Sequence, residues 1–428
     1  MTATAIREKL ADKASMASQG PAWLAPVREK AFSRFQSMGF PTRQWEAWKY
    51  MNLFPVLDAP FHQAQREAAL ESARTQKLSR DALQWVFSGG YYLSDLSSKP
   101  GSGLEAKPLM TALASETAPL AFFARDLDSE ENPFVLINTF SFTEGLLLRV
   151  PKSWDNHQPL NLLFLDAGGA PSLAMPRVSI ILEEGAKAQV VCRMLGGAGQ
   201  GSVTNAVFEV FLEQGASLKL AQVILQDGPH YPFAAARFYL KSGSSAEQLV
   251  YCRGGKMTKL DTRVELEGEG ATCRLNGLSI LGGAAQAFHE LTVNHRAPLT
   301  LSRQFYKNIL DDEAQAEFNS LSYVFRDAVK SDTQQLNKNL LLSDDARVYS
   351  RPKLKIYTDD VSANHGSANG PTQERELFYL RSRGLDPKAA RLMLAEGFAR
   401  EVLDKADMPA AGGEIGRDLR RELQKMVD

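Results

Sequence analysis

Few residues in this 428-residue sequence can do metal or nucleophile chemistry: there are six histidines and three cysteines. Cys192, Cys252 and Cys273 lie 60 and 21 residues apart, which gives neither a CxxC redox pair nor a local zinc knuckle. All three fall in segments of alternating hydrophobicity, and Cys192 shares the parity of Val190, so buried and inert thiols are expected. His289 and His295 share parity with Leu291 and Val293, and on one continuous strand they stand about 20 Å apart. They cannot then bind one metal, and hydrogen-bonded core histidines are expected. His365 differs. It lies in Asp359-Asp360-Val361-Ser362-Ala363-Asn364-His365-Gly366-Ser367, a polar, turn-forming stretch in which an exposed imidazole is either simply solvated or functional.

Other chemical signatures are missing from the sequence. The glycine cluster Gly196-Gly197-Ala198-Gly199-Gln200-Gly201 lacks the lysine and following helix of a phosphate cradle and reads as a flexible loop. Neither GxSxG nor HExxH occurs. The acidic runs Asp311-Asp312-Glu313 and Asp344-Asp345 sit beside corners, where solvated loop charges are the simpler explanation. Lys and Arg number 49 against 50 Asp and Glu, so no net field gathers nucleic acid or anionic lipid. Hydrophobic residues at 44% and charged residues at 23% give a balance able to bury a core. No 18-residue apolar run appears, and Arg7, Lys9, Asp12 and Lys13 interrupt the first twenty residues. The expectation is a cytoplasmic chain with no membrane or nucleic-acid partner, and the sparse, odd cysteine set suits a reducing compartment.

The elements that must position these residues fall into three regions. Residues 1–133 read as mainly helical, with helical apolar spacing over 22–38 and punctuation at Gly20-Pro21 and Phe40-Pro41. Thr42 is placed to cap a short helix carrying Trp45 and Trp48 on one face. Residues 134–358 alternate with period two: Val178, Ile180 and Leu182, then Ala188, Val190, Cys192 and Met194 across a Gly-Ala corner. The unit returns at Ala206 to Leu212 and Leu218 to Ile224, and the corner glycines 185, 215, 243 and 270 are 30, 28 and 27 residues apart. Strand-and-turn repeats of this period predict a β-helix whose coils bury one another's inward faces, with a two-sheet sandwich as the alternative.

Residues 359–428 return to helical signals. Glu374 and Glu376 open one helix and Gly384 closes it; Asp386 caps the next, with Pro387 in its first position. Leu392, Met393, Phe398, Val402 and Leu403 form its apolar stripe. After Pro409 and a Gly412-Gly413 hinge, Ile415, Leu419, Leu423 and Met426 make a last amphipathic helix, which docks either on its own domain or on a partner.

The run DDVSANHGSANG followed by ELFYLRSRGL (376–385) resembles the C-terminal signature of the SufB/SufD family of the SUF iron-sulfur cluster assembly system. SRQFYKNILDDEAQAEFNS (302–320), TQQLNKNLLLSDDARVYSRPKLKI (333–356) and WEAWKY (45–50) are similar too, and the strong likeness covers roughly residues 286–403. Length and the His-Gly turn look more like the SufD side than the SufB side. One departure stands out: Ala363 occupies a position where SufD-like sequences often have cysteine, which excludes a thiolate there.

The resemblance implies a mainly β protein, a right-handed parallel β-helix flanked by N-terminal and C-terminal helical regions. It also implies a heterodimer with SufB through the late β-helix strands, docking of the ATPase SufC on the C-terminal helices, and a possible homodimer of the isolated chain. Three scattered cysteines cannot ligate a cluster alone. The isolated chain is therefore expected to bind no cofactor and to hold an iron-sulfur cluster only transiently, shared with SufB. His365 is the candidate iron or cluster ligand, and Leu392, Phe398, Val402, Leu419 and Leu423 are the candidate SufC contacts. Two other readings compete with this non-catalytic scaffold: a polysaccharide-active β-helix enzyme using the acidic runs, and a structural adaptor with no part in cluster chemistry.

Overall fold

The computed structural model describes residues 8, 10, 16–76, 82–101, 103–115, 122–154, 158–167, 171–199, 201–371 and 374–427. Alternation has its expected consequence: the chain winds into a parallel β-solenoid of about seven turns, with two strands per coil. One sheet stacks Gln84–Ser88, Leu160–Leu165, Lys187–Gly196, Ser217–Gln226, Ser245–Gly254, Thr272–Leu281, Leu301–Leu310, Ser331–Leu341 and Val361–Gly370. The facing sheet stacks Gly145–Val150, Arg177–Leu182, Ser202–Leu212, Tyr231–Leu240, Thr258–Leu266, Gln286–His295, Gln315–Val324 and Arg347–Ile356.

Corners set the register. Gly185, Gly215, Gly243 and Gly270 all have φ between 64° and 70°, a left-handed conformation that glycine adopts without a Cβ clash. Each corner amide donates to the next coil, as Gly215 N does to Ser242 O at 2.9 Å and Gly243 N to Glu269 O at 2.9 Å. The later corners at Leu299, Asp312 and Lys330 also adopt positive φ, and the neighbouring coils hold them there despite their side chains.

Val178, Ile180, Leu182, Phe208, Val210, Leu212, Leu218, Leu220 and Ile224 fill the space between the sheets and are almost fully buried. Each contributes about 1.5–3 kcal/mol of transfer free energy. Helices cover both outer faces. On the second sheet, Phe32, Phe35, Trp48, Phe134 and Phe140 pack with Val203, Phe233 and Phe288. On the first, Ala395, Val402, Ile415, Leu419 and Leu423 pack with Val223, Tyr251, Ile280 and Ile309. No helix among the described residues is long and apolar enough to cross a membrane.

Three sequence expectations need correction. The N-terminal region contains strands Gln84–Ser88, Tyr91–Tyr92 and Glu105–Pro108, and the first of these opens the solenoid. Its five residues are all buried, and its apolar part is only the three-residue run Trp85-Val86-Phe87, too short for periodicity to assign. Gly412 and Gly413 are not a hinge: the helix Pro409–Val427 runs through them, and the break falls at Asp407, whose φ is 39°. Burial of the helix's apolar face offsets the low helix propensity of glycine, about 1 kcal/mol for each residue. Finally, residues 361–370 form a strand rather than a turn, so regular β structure continues beyond 358.

Candidate functional site

The solenoid ends in two ten-residue strands, Arg347–Ile356 and Val361–Gly370, each hydrogen-bonded to a neighbouring coil on one side only. A row of backbone N–H and C=O groups on each therefore remains available to another chain. The sequence moderates this edge with Pro352, which removes one donor, and with Arg347, Arg351, Lys353 and Lys355 on alternate positions. The first strand is tied down from outside. Glu46 accepts from Lys353 Nζ at 2.5 Å and lies 3.4 Å from Arg351 Nη1, while Tyr50 stacks on Tyr349 with centroids 3.6 Å apart. The WEAWKY segment thus straps the last coil, its Trp48 buried against Phe134 and Lys259 Nζ donating to Ala47 O at 2.9 Å. The short helical turn there is Glu46–Trp48, preceded by Gln44 N donating to Thr42 Oγ1 at 3.3 Å. The aromatic spacing indicated core packing, but nothing in it indicated that this segment braces the terminal strand.

His365 stands in the middle of the last strand and is exposed. The register pairs it with Gln335 and places Ala363, His365, Ser367 and Asn369 opposite Thr333, Gln335, Asn337 and Asn339. That face is the inward face of the preceding coils, so the imidazole sits on the end surface of the solenoid. Among the described residues no group of three or more His, Cys, Asp or Glu is placed to hold a metal ion. His365 can supply one ligand nitrogen, and any further donors must come from elsewhere.

The other chemically able residues are held inside. His289 Nε2 bonds Ser279 Oγ at 2.9 Å, and burial pushes its pKa down to about 3, assisted by Lys259. His295 bonds Thr300 Oγ1 at 2.8 Å and Ser302 Oγ at 2.9 Å, and burial lowers its pKa to about 4. Both are therefore neutral core histidines, as their parity indicated. Cys192, Cys252 and Cys273 are buried and unpaired with one another. Burial raises the Cys252 thiol to about 11 and Cys273 to about 12, and pushes Cys192 up as well, so none is a thiolate near neutral pH. Asp311, Asp312 and Glu313 occupy a corner, with Asp312 accepting from Gly283 N at 2.8 Å, rather than lining a sheet as a catalytic cluster would.

The stripe expected to meet a partner is largely committed to the chain's own core. Val402, Leu419 and Leu423 are 0%, 1% and 0% exposed. Leu392 and Phe398 are half-buried, and Lys307 Nζ sits 4.0 Å from the Phe398 ring centroid. The reason is the apolar outer face of the first sheet, which would otherwise face water along most of the solenoid. Asp418 fixes the last helix further, accepting from Tyr251 Oη at 2.9 Å and Arg253 Nε at 3.3 Å. On the C-terminal helices, the large apolar residues left exposed are Phe378, Tyr379 and Met393, by 73%, 57% and 55%. A signal existed: in Leu377-Phe378-Tyr379-Leu380 four consecutive apolar side chains cannot share one helical face, and only Leu377 is buried.

A helix-flanked parallel β-solenoid with one open end and a lone exposed imidazole there defines the structural class. Its sequence agrees with two family models: "SUF system FeS cluster assembly, SufBD core domain" over residues 164–398, and "SufBD protein N-terminal region" over residues 10–162. The chain belongs to the SufBD family of iron-sulfur cluster assembly proteins. It is 28% identical to the iron-sulfur cluster assembly protein SufD of Escherichia coli, over 89% of this chain and 88% of that protein. A SufBD family protein of Synechocystis is 25% identical over 95% of this chain and 93% of the relative. The chloroplastic protein ABCI7 of Arabidopsis thaliana is 25% identical over 94% and 86%.

Proposed function

We propose that this chain is a non-catalytic, cytoplasmic scaffold subunit for iron-sulfur cluster assembly. It pairs with a SufB-type subunit through its open solenoid end and offers His365 to iron or nascent cluster at that junction. The observation that carries the reading is the position of His365, exposed at the centre of a ten-residue edge strand whose outer side is open, in a chain of the SufBD family. A partner strand that completes the open edge would bring its own ligands beside the imidazole, and a histidine ring nitrogen is a suitable ligand for iron. The cluster is cargo, held only while the two chains share it. An ATPase of the SufC type is proposed to dock on the C-terminal helices. Since Val402, Leu419 and Leu423 are buried, its contact falls on the solvent-facing groove lined by Arg400, Asp404, Gly412, Gly416 and Arg420.

Co-expression of His365→Ala with the partner subunits, followed by anaerobic purification, tests the ligand role. Iron, sulfide and visible absorption per intact complex are expected to fall. Wild-type cluster content in a normally assembled complex would refute it, and would favour an adaptor without cluster chemistry.

A further inference from the structure

Toward the open end, the buried column beneath His365 becomes wholly polar: leucine and glutamine alternate up to Leu275, and glutamine then occupies two successive coils. Along the first sheet the stacked positions are Leu220, Gln248, Leu275, Gln304, Gln335 and His365. Gln335 is 2% exposed. Its Nε2 donates to Ser322 Oγ at 2.8 Å and to Lys353 O at 3.0 Å, which determines which end of the amide is oxygen. Oε1 is buried and has no hydrogen-bond partner. An acceptor in that state is destabilising, and its neighbours indicate where a donor can come from.

On the inner side, Gln304 Nε2 donates to Ser322 Oγ at 3.1 Å and its oxygen accepts from Ser320, and no bond runs from Gln304 to Gln335 Oε1. On the outer side the neighbour in the column is His365, whose ring carries an N–H. Side chains of these two strands do bridge in this register: two positions along the same face, Asn339 Nδ2 donates to Asn369 Oδ1 at 2.6 Å.

We propose that Gln335 is a positioning residue for His365: when the exposed ring turns onto the column, Gln335 Oε1 accepts the N–H of one imidazole nitrogen and so selects the tautomer whose other nitrogen is free for iron. This inference rests on the reading of His365 as a ligand, to which it supplies the fixed ring that metal-binding histidines usually obtain from an outer carbonyl or carboxylate.

Nitrogen-15 NMR of the full-length, histidine-labelled chain tests the bond without any cluster. The expected result is a protected ring N–H resonance that is absent from His365→Ala and also absent from Gln335→Leu. A wild-type chain with no protected ring N–H assignable to His365 overturns the proposal, and this needs no variant to fold. A resonance that persists unchanged in a folded Gln335→Leu chain overturns it as well. In the co-expressed complex, Gln335→Leu should weaken iron retention by about tenfold or more against a chelator, the usual effect of losing such a partner. If the ring proton is present while the His365→Ala complex keeps its full cluster, the hydrogen bond stands and the ligand reading alone fails.

Discussion

Replacing Leu419 by Ala separates the two roles that an amphipathic terminal helix can have. Leu419 is 1% exposed and packs in the cluster formed by Val223, Tyr251, Ile280 and the helix residues Ile415 and Leu423. A Leu→Ala change in such a site removes transfer free energy and leaves a cavity, at about 2–5 kcal/mol. The helix makes its own cooperative contact with the sheet, including Tyr251 Oη on Asp418, so the loss falls first on its docking equilibrium. At about 1.4 kcal/mol per tenfold, amide exchange in residues 415–427 should accelerate between about thirty-fold and several thousand-fold in the isolated chain. Hydrogen–deuterium exchange read by mass spectrometry measures this directly. Met393→Ala, at a position 55% exposed, serves as the control and should change exchange by less than about threefold. Unchanged exchange over 415–427 in Leu419→Ala, together with weaker binding of the proposed ATPase partner, would refute the assignment of this side chain to the core.

Two further predictions concern the buried titratable groups. His295 has a pKa near 4, below the ordinary value near 6.5, so the unfolded chain binds the proton more readily than the folded one. Its contribution to stability is complete above pH 6.5 and is lost as pH falls toward 4, by about 3 kcal/mol at most. Urea unfolding should therefore show a pH slope in this window that His295→Gln reduces; an unchanged slope contradicts the burial of a neutral ring. The three thiols, all buried and pushed to high pKa, should resist iodoacetamide at pH 8 until the chain is unfolded in urea. An adduct on the folded protein at any of the three, detected by mass spectrometry, would show that the site opens.

The sequence by itself determined the solenoid. Alternation in Val178, Ile180 and Leu182, repeated at Phe208, Val210 and Leu212, called for strands, and regular corner glycines favoured stacked coils over the two-sheet sandwich that alternation also allowed. Asp386 and Pro387 likewise fixed a helix start locally, and Asp386 Oδ1 does accept from Ala389 N at 3.0 Å. Local signals of this kind survive because each is satisfied within a few residues. The environment of His365 is different. DDVSANHGSANG has turn composition and almost no apolar alternation, yet it is a strand because the edge of Ser331–Leu341 templates it, residue by residue, through backbone hydrogen bonds that no side chain advertises. The surface chosen by the last helix was hidden in the same way: a stripe of Ile415, Leu419 and Leu423 records that something apolar must cover it. Only the tertiary structure decides that this cover is the chain's own sheet, because the matching face is assembled from strands far away in sequence, such as the one carrying Val191, 232 residues before Leu423.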